Sequence, residues 1–380
     1  MPKFVFASDS FKGSLPSLQV AQLLDEAAQS AFPDAHTQLV AMADGGEGTV
    51  QAVVEAAGGT LHEVCVHGPL GGVVEAAYGL LDGGRAIIEM AAASGLPLVA
   101  PESRNPAITS TYGTGELIRN ALSLGVGEIT LGIGGSATND GGMGCMRALG
   151  ARFLDENGEE LEGTGSDLGR VSRIDLREFE PRVAKTRFRV MCDVDNPLYG
   201  TRGATRVFAP QKGASPAQVE ELEAGMQRYS AVLQEAFPTF DPMAAGMGAA
   251  GGLGAAACAF LQAEMLPGIE CMLDLVRFDQ LLEGCDLCVT GEGHADAQSA
   301  HGKVVSGVAA RCRRAGVPCV TVVGGMDRTA VELFDIGVNA LVPTVVDVEP
   351  LESALEHAED NYRLAANRLF ALLKLGQGIR

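Results

Sequence analysis

The sequence predicts an α/β protein: a discontinuous Rossmann-like parallel-sheet domain, formed by both chain ends, with an inserted mixed α/β domain. Both ends alternate short apolar runs with segments of helical period, which is typical of parallel strands joined by helical crossovers. The middle of the chain lacks this alternation. A chain of 380 residues is also long for one hydrophobic core. We therefore place the Rossmann-like domain at residues 1–60 plus 285–380 and the inserted domain at residues 61–284.

The N-terminal end shows the strand–loop–helix pattern twice. A buried strand is predicted at Lys3–Asp9. A helix then begins near Ser14 and accepts Pro16 in its first turn, where a missing N–H is tolerated. A second strand, Thr37–Ala43, leads through a glycine-rich loop to a helix at Thr49–Ala57. This order predicts an open α/β sheet.

The C-terminal end repeats the pattern, and the middle does not. The C-terminal segments are strands Asp286–Thr290, Cys319–Val323 and Asn339–Val346 and helices near Val304–Ala315 and Leu351–Leu373. The middle segments are short strands and turns over Leu61–Gly84, strands Ala86–Met90, Glu128–Ile133 and Arg187–Cys192, and helices Thr114–Leu124 and Pro216–Glu235. We expect the middle to form the inserted domain.

Charge and composition exclude several classes of partner. The formal net charge is −20, which disfavours binding to nucleic acid or to an anionic membrane. No apolar run approaches about 18 residues, so no membrane span is expected. The first residues form a predicted strand instead of a targeting segment, so we expect a cytoplasmic protein. Three lysines adjoin a glycine in this lysine-poor chain, which favours phosphate or carboxylate contacts at Lys12, Lys212 and Lys303.

The cysteines and glycine motifs argue against zinc and nicotinamide cofactors. Cys285 and Cys288 form a CxxC pair on a predicted strand, where residues three apart point to opposite faces. We therefore reject zinc and expect reduced thiols. No GxGxxG follows the first strand, so a dinucleotide site has little support. Gly302-Lys303-Val304 is not a Walker A motif, because the required earlier Gly and following Ser or Thr are missing.

Acidic, glycine-rich loops follow most predicted strands, at the edge where open α/β sheets bind ligands. Glycine allows backbone N–H groups to approach a phosphate, and carboxylates there can hold magnesium or accept a hydroxyl proton. Phosphoryl transfer needs this combination. The loops are Asp9–Gly13, Asp44–Gly48, Gly134–Gly142, Asp193–Asn196 and Gly291–Gly293. A further stretch, Gly246–Gly254, either binds phosphate at a helix start or allows close helix packing.

At these loops the sequence resembles the bacterial glycerate kinase family (type I, glycerate 2-kinase). The matching stretches are Ser8–Ser14, Ala43–Thr49, Ser110–Glu116, Gly132–Gly144, Cys192–Leu198, Gly251–Gly254 and Thr290–Gly293. One departure is visible: His294 and Ala295 precede Asp296, where the family usually has Arg or Lys followed by a hydrophobic residue. Either a weaker cation at His294 alters phosphate affinity, or the position is only an approach to the next helix.

The resemblance implies an ATP-dependent kinase that uses Mg²⁺ and converts D-glycerate to 2-phosphoglycerate. We expect Asp193 to act as general base or to position the hydroxyl, Lys12 to neutralise the transferring phosphoryl group and Asp9 to assist. Magnesium is assigned to Asp44 and Asp193, with Asp9 as an alternative ligand. Assigned to substrate are Ser10, Asp44, Gly45 and Glu47. Assigned to nucleotide or phosphate are Gly134, Gly135, Ser136, Asn139, Gly251, Gly252, Glu292 and Lys303.

Two alternatives stay open at this point. The product could be 3-phosphoglycerate, because the choice between hydroxyls depends on the placement of one oxygen atom. The chain could also be a non-catalytic regulator that binds a nucleotide or sugar phosphate, although such a protein has little use for so many loop carboxylates. The oligomeric state is open, with a homodimer as one candidate.

Overall fold

The computed structural model describes residues 1–42, 48–300, 302–348 and 350–376. The strands are β1 (Lys3–Phe6), β2 (His36–Leu39), β3 (Thr60–His67), β4 (Val73–Leu81), β5 (Arg85–Glu89), β6 (Glu128–Gly132), β7 (Arg152–Leu154), β8 (Arg173–Asp175), β9 (Arg187–Met191), β10 (Glu264–Leu266), β11 (Leu287–Ala295), β12 (Cys319–Met326) and β13 (Ala340–Pro343). The α-helices are α1 (Ser17–Ala31), α2 (Thr49–Ala57), α3 (Ala91–Ser94), α4 (Tyr112–Ser123), α5 (Met143–Ala148), α6 (Ala204–Phe208), α7 (Pro216–Ala236), α8 (Ala249–Leu261), α9 (Gly268–Leu275), α10 (Phe278–Leu281), α11 (Val304–Ala315), α12 (Leu333–Ile336), α13 (Leu351–Glu356) and α14 (Ala358–Gly376).

The chain divides into two compact units. The first unit comprises Met1–Asp44, Glu55–Ala57 and Ile269–Arg380, and the second comprises Gly45–Val54 and Gly58–Gly268. The first is therefore built from both chain ends. In the part of the chain that is described, no helix combines the length and the hydropathy that crossing a membrane requires.

The first unit contains a five-stranded, all-parallel sheet in the order β13-β12-β11-β1-β2. One face packs against α1 and α14, in a core that includes Phe6, Val289 and Phe370. The preceding residue of β11, Cys288, points to the opposite face and meets Cys312 of α11. Helices therefore cover both faces, as expected for an open α/β sheet whose strands are buried on both sides.

The strand order of this sheet reverses direction at β1. From β1 the chain passes to β2 on one side, and later returns through β11, β12 and β13 on the other side. Ligands of open α/β sheets bind beyond the carboxyl ends of the strands at such a switch point. The topology therefore predicts a ligand site at the residues that follow β1 and β11.

The second unit contains a mixed six-stranded sheet in the order β10-β9-β6-β5-β4-β3. β3 and β4 form an antiparallel hairpin, β4 pairs antiparallel with β5, and the remaining strands are parallel. Its core is dominated by aliphatic side chains, with Tyr78, Phe153 and Tyr229 among the largest fully buried groups. β7 and β8 form a separate two-stranded ladder.

The second segment of the first unit begins at Ile269, earlier than the 285 that the sequence suggested. Arg311 of α11 explains the difference, because its guanidinium binds three carboxylates of α9 and α10 at 2.6 to 2.9 Å. These carboxylates belong to Glu270, Asp274 and Asp279. Gly307 also allows Ile269 to approach α11 closely, since an added Cβ would lie 2.4 Å from its side chain.

Several element boundaries differ from the sequence predictions. β11 continues through Gly291–Gly293 because its backbone pairs with β12 as far as Ala295, so this stretch is strand and not loop. The closing helix is broken at His357, where the backbone leaves helical geometry between α13 and α14. At the start, Pro16 is the N-cap of α1 with extended backbone, so the helix begins three residues after Ser14.

Candidate active site

A cleft of about 560 Å³ lies in the first unit at the carboxyl ends of β1, β11, β12 and β13. Its size falls within the usual range for small-ligand sites. Among the predicted site residues, it brings together Asp9, Ser10, Lys12, Glu292 and Lys303. The switch in strand order places these residues at one edge, although Ser10 and Lys303 are 293 positions apart in sequence.

The loop after β1 is held by short hydrogen bonds. The Asp9 backbone N–H donates to the Gly291 carbonyl at 2.9 Å, which joins the loop to β11. The Ser10 N–H donates to Asp9 Oδ1 at 2.7 Å. Lys12 is exposed beyond this turn, so its ammonium is available to an anion entering the cleft.

Glu292 is the most unusual acid of the cleft. It is only 7% exposed, and its Oε1 has no hydrogen-bond partner among the described residues. Burial raises its pKa, and the neighbouring carboxylates of Asp9 and Asp296 raise it further, while Ser299 and Lys303 oppose the shift. Because a buried carboxylate oxygen without a partner is unfavourable, this geometry favours an arriving cation or hydrogen-bond donor.

Lys303 supplies positive charge beside Glu292. Its Nζ lies 3.9 Å from Glu292 Oε2, a distance that leaves the ammonium free to move towards a ligand. Lys303 is also the N-cap residue of α11, a helix of 12 residues. The free N–H groups at this helix end favour a negative ligand. This part of the cleft can therefore bind a phosphate near two carboxylates.

The opposite side of the cleft is formed by an apolar wall, which we define as Val345, Leu351, Ala354, Leu355 and Ala358. These residues carry no chemical motif, so the sequence alone does not indicate the wall.

The glycine-rich loop Gly134–Gly142 lies in the second unit, and most of it is buried. Gly134 and Gly135 are exposed, whereas Ser136 and Asn139 are buried. The Asn139 side-chain amide donates to Thr205 Oγ1 at 3.1 Å. Only the first two residues therefore present their backbone to solvent.

The loop rests on Lys212, where the neighbouring glycine had favoured a phosphate or carboxylate contact; the structure gives it a hydroxyl and a backbone carbonyl as partners. Lys212 is 2% exposed, and its Nζ donates to Ser136 Oγ at 2.7 Å and to the Thr138 carbonyl at 2.6 Å. Burial lowers its pKa to about 7, against a smaller raising effect of Asp140. The buried ammonium thus fixes the path of the loop.

Asp140 ends the loop as a fully buried hydrogen-bond acceptor. It accepts from the N–H and hydroxyl of Thr111, both at 2.7 Å, and from the N–H groups of Gly142 at 3.0 Å and Gly144 at 3.3 Å. Burial raises its pKa, although all four hydrogen bonds oppose that shift. Its role is to hold the loop and the starts of two helices.

Gly251 and Gly252 pack directly against this loop. The Gly141 N–H donates to the Gly251 carbonyl at 2.9 Å. Both glycines have positive φ, and a Cβ on Gly251 would lie 2.1 Å from the Thr138 carbonyl oxygen. Within described residues the need for glycine here is thus explained by close backbone packing. Phosphate binding at this pair stays a prediction.

Gly251→Ala should lower the free energy of unfolding by about 3 kcal/mol, from a strained φ of +68° plus a clash with backbone. Gly58→Ala is the matched control in the same unit, because its φ is +71° but nothing lies within 4 Å of the added Cβ. It should cost about 1 kcal/mol. Urea unfolding of both variants measures the difference, and equal losses would contradict the packing explanation.

Asp193 and Asp195 are exposed residues that follow β9. Asp193 Oδ1 accepts a hydrogen bond from the Gly268 N–H at 2.9 Å, at the start of α9. Both carboxylate oxygens of Asp195 accept from Arg202 at 2.7 Å. A catalytic role for Asp193 stays a prediction, and the structure adds this capping contact.

Asp44, Gly45 and Glu47 lie outside the described residues. Within residues 1–42, 48–300, 302–348 and 350–376, no three His, Cys, Asp or Glu side chains are close enough to hold a metal ion. Magnesium in kinases usually takes only one or two carboxylates, with phosphates and water completing its ligands. The unpartnered Oε1 of Glu292 fits such a role.

Comparison with known proteins agrees across sequence and structure. A sequence model of the Glycerate kinase family matches residues 4–374. Glycerate kinase of Halalkalibacterium halodurans is 43% identical over 371 residues, which cover 97% of each chain. Glycerate 2-kinase of Escherichia coli K12 is 43% identical over 375 residues, or 98% of each chain.

A solved structure covers the whole chain. It is a crystal structure named as a glycerate kinase 2 from Salmonella typhimurium LT2, with a TM-score of 0.88, 43% identity and 100% coverage of both chains. This likeness confirms the α/β architecture. Because the family model and the relatives extend over nearly all of it, the chain belongs to the glycerate kinase family, whose named members are phosphotransferases.

Proposed function

We propose that this protein transfers the γ-phosphoryl group of ATP to D-glycerate in the cytoplasm and forms 2-phosphoglycerate. Membership of the family supports the reaction type. The name of the Escherichia coli relative, glycerate 2-kinase, supports the position of the new phosphate. The observation that carries the proposal is the cleft in which Glu292 and Asp9 lie beside Lys303 and Lys12.

Phosphates of ATP would bind at the β1–β11 end of the cleft. Lys303 and the N-terminus of α11 offer positive potential there, and Lys12 would neutralise charge on the transferring phosphoryl group. Positioning and charge neutralisation account for most of the rate enhancement in phosphoryl transfer.

Glu292 and Asp9 would hold magnesium, and the assignment of Asp44 and Asp193 as magnesium ligands stays a prediction from the sequence. Oxygen atoms of carboxylates are suitable ligands, and in the described part of the chain Oε1 of Glu292 has no other partner. Magnesium, when bound, reduces the negative charge of the β- and γ-phosphates. The protein's own task is to orient these carboxylates beside Lys303.

The glycerate side of the reaction rests on the predictions made from sequence. Ser10 would bind glycerate at the loop after β1, together with Asp44, Gly45 and Glu47. Asp193 would accept or orient the proton of the attacking hydroxyl. Backbone N–H groups of the exposed Gly134 and Gly135 remain candidates for phosphate contact.

The direct test is release of ADP from Mg-ATP with and without D-glycerate, followed by NMR of the phosphorylated product. The proposal predicts glycerate-dependent ADP and phosphate on the C2 oxygen. A product that carries phosphate on the C3 oxygen would contradict the proposed position of the phosphate and identify the product as 3-phosphoglycerate. Binding of ATP with no turnover in the presence of D-glycerate would favour a regulator and overturn the proposal.

Asp193→Asn should lower kcat by roughly 10²-fold or more if this carboxylate assists proton transfer. Asn keeps an acceptor oxygen for the Gly268 N–H, so α9 should retain its start and the melting temperature should change little. Asp195→Asn is the control, because that carboxylate is paired with Arg202. Turnover at the wild-type rate in Asp193→Asn would remove Asp193 from the mechanism.

A further inference from the structure

We infer that the apolar wall binds the nucleoside half of ATP, so that the nucleotide lies along the strand ends with its base beside β13 and its phosphates at β1 and β11. This inference rests on the proposed function and specifies how its nucleotide is held. It assigns a binding role to α13 and the start of α14, which no sequence motif indicated.

The order of the strands in the sheet sets the direction in which the nucleotide lies along the cleft. The cleft is lined in sequence by residues that follow β1, β11, β12 and β13, which are consecutive neighbours in the sheet. Neighbouring strands lie about 4.8 Å apart, so these four strand ends span roughly 14 Å. An extended nucleoside triphosphate can follow such an edge. Charged groups lie at the β1–β11 end, and Thr344 and Val345 follow β13 at the other.

Three side chains of the apolar wall are unusually exposed for apolar residues. Leu351 is 74% exposed, Val345 is 46% exposed and Leu355 is 39% exposed. These side chains line a concave cleft and not a flat surface. Apolar side chains that line a cleft together with a few polar groups are typical of sites for flat organic ligands. Burial of a purine ring would remove this apolar area from water.

Both helices contribute one face to the apolar wall. Leu351, Ala354 and Leu355 share a face of α13, and after the break at His357 Ala358 and Asn361 share a face of α14. Asn361 continues the same stripe and is its first polar member.

The polar end of this stripe lies beside the loop after β1. Tyr362, next to Asn361, packs edge-to-face against Phe11 with 5.2 Å between ring centroids. Phe11 precedes Lys12, so Asn361 is at the end of the cleft assigned to phosphate. Asn361 is 8% exposed and lines the cleft. Along α13 and α14, as along the strand ends, the side chains that line the cleft therefore change from apolar beside β13 to polar beside β1.

The experiment compares the double variant Leu351→Ser/Leu355→Ser with wild type. Both side chains are exposed, so folding should be preserved. The KM for ATP should rise roughly tenfold with kcat nearly unchanged, because contacts made equally in the ground and transition states are lost. Adenosine should inhibit more weakly by a similar factor, whereas inhibition by inorganic tripolyphosphate should not change. Leu364→Ser is the control, an exposed leucine of α14 that does not line the cleft.

A double variant with unchanged KM for ATP and unchanged adenosine inhibition would overturn the inference. So would an equal loss of affinity for adenosine and tripolyphosphate, since that would place phosphate at the apolar wall. Calorimetric binding of ATP, adenosine and tripolyphosphate gives the same comparison without turnover. Failure of the proposed reaction, seen as no glycerate-dependent ADP, is thus distinguishable from failure of this inference.

Discussion

Glu292→Gln is expected to lower kcat with Mg-ATP and D-glycerate by roughly 10²-fold or more, without loss of stability. Gln has the same size as Glu but lacks the charge that a phosphate-bound cation requires, and preorganised charges of this kind contribute strongly to catalysis. Glu292 Oε1 has no partner within the described residues and faces a cleft that also contains Lys303.

The stability of Glu292→Gln separates a functional role from a structural one. Burial raises the pKa of Glu292, so the folded protein holds this proton more tightly than the unfolded chain does. Stability is therefore lost as pH rises from the ordinary pKa of Glu through the raised pKa, and the ionised group is unfavourable at neutral pH. Removal of the charge should leave the melting temperature unchanged or higher.

The control for this experiment is Glu332→Gln, at an exposed carboxylate of the same unit. It should change neither turnover nor melting temperature. Steady-state kinetics and thermal unfolding at pH 7 measure both quantities. A Glu292→Gln enzyme with wild-type turnover, or one that unfolds at a markedly lower temperature, would contradict the role assigned to Glu292.

Lys212→Met should destabilise the protein by an amount that grows with pH. The pKa of Lys212 is about 7 in the folded protein and 10.5 when unperturbed. Between these values the unfolded chain binds more protons, so the free energy of unfolding of the wild type rises with pH, by up to about 1.4 kcal/mol per pH unit. The methionine variant lacks this contribution.

At pH 9 the neutral amine of Lys212 still donates to Ser136 and to the Thr138 carbonyl, and methionine cannot replace these hydrogen bonds. The loss at pH 9 should be roughly 2–3 kcal/mol, and it should be smaller at pH 7. Urea unfolding at pH 7, 8 and 9 provides the measurement. Lys185→Met, at an exposed lysine of the same unit, is the control. A difference independent of pH would contradict the lowered pKa.

The sequence predicted the first unit well because its signals are local. A short apolar run, a polar loop and an amphipathic helix each leave a pattern within about 30 residues, and strand ends in a parallel sheet converge on one edge. Asp9, Glu292 and Lys303 were predicted in this way, and the structure brings them to one cleft. The continuation of β11 through Gly291–Gly293 was missed because glycine indicates a turn when the pairing strand is unknown.

The features that the sequence did not predict depend on contacts between segments that are far apart in the chain. Lys212 supports Ser136 across 76 positions, and no local pattern reports that contact. Gly134–Gly142 was therefore interpreted as a ligand loop throughout, although most of it packs inside the second unit. The start of the second segment at Ile269 likewise depends on Arg311, whose partners lie more than 30 residues away. The apolar wall was missed because apolar helix faces usually pack in cores.

The hydrogen bonds of the Asp140 carboxylate bear on how α4 and α5 of the second unit unfold locally. It accepts from Thr111, the N-cap of α4, and from Gly142 and Gly144 at the start of α5. Separation of either helix start would leave a buried acceptor short of donors while the other start stayed in place. We therefore expect α4 and α5 to unfold locally as one cooperative event, with the backbone amides of both helices becoming accessible to solvent together.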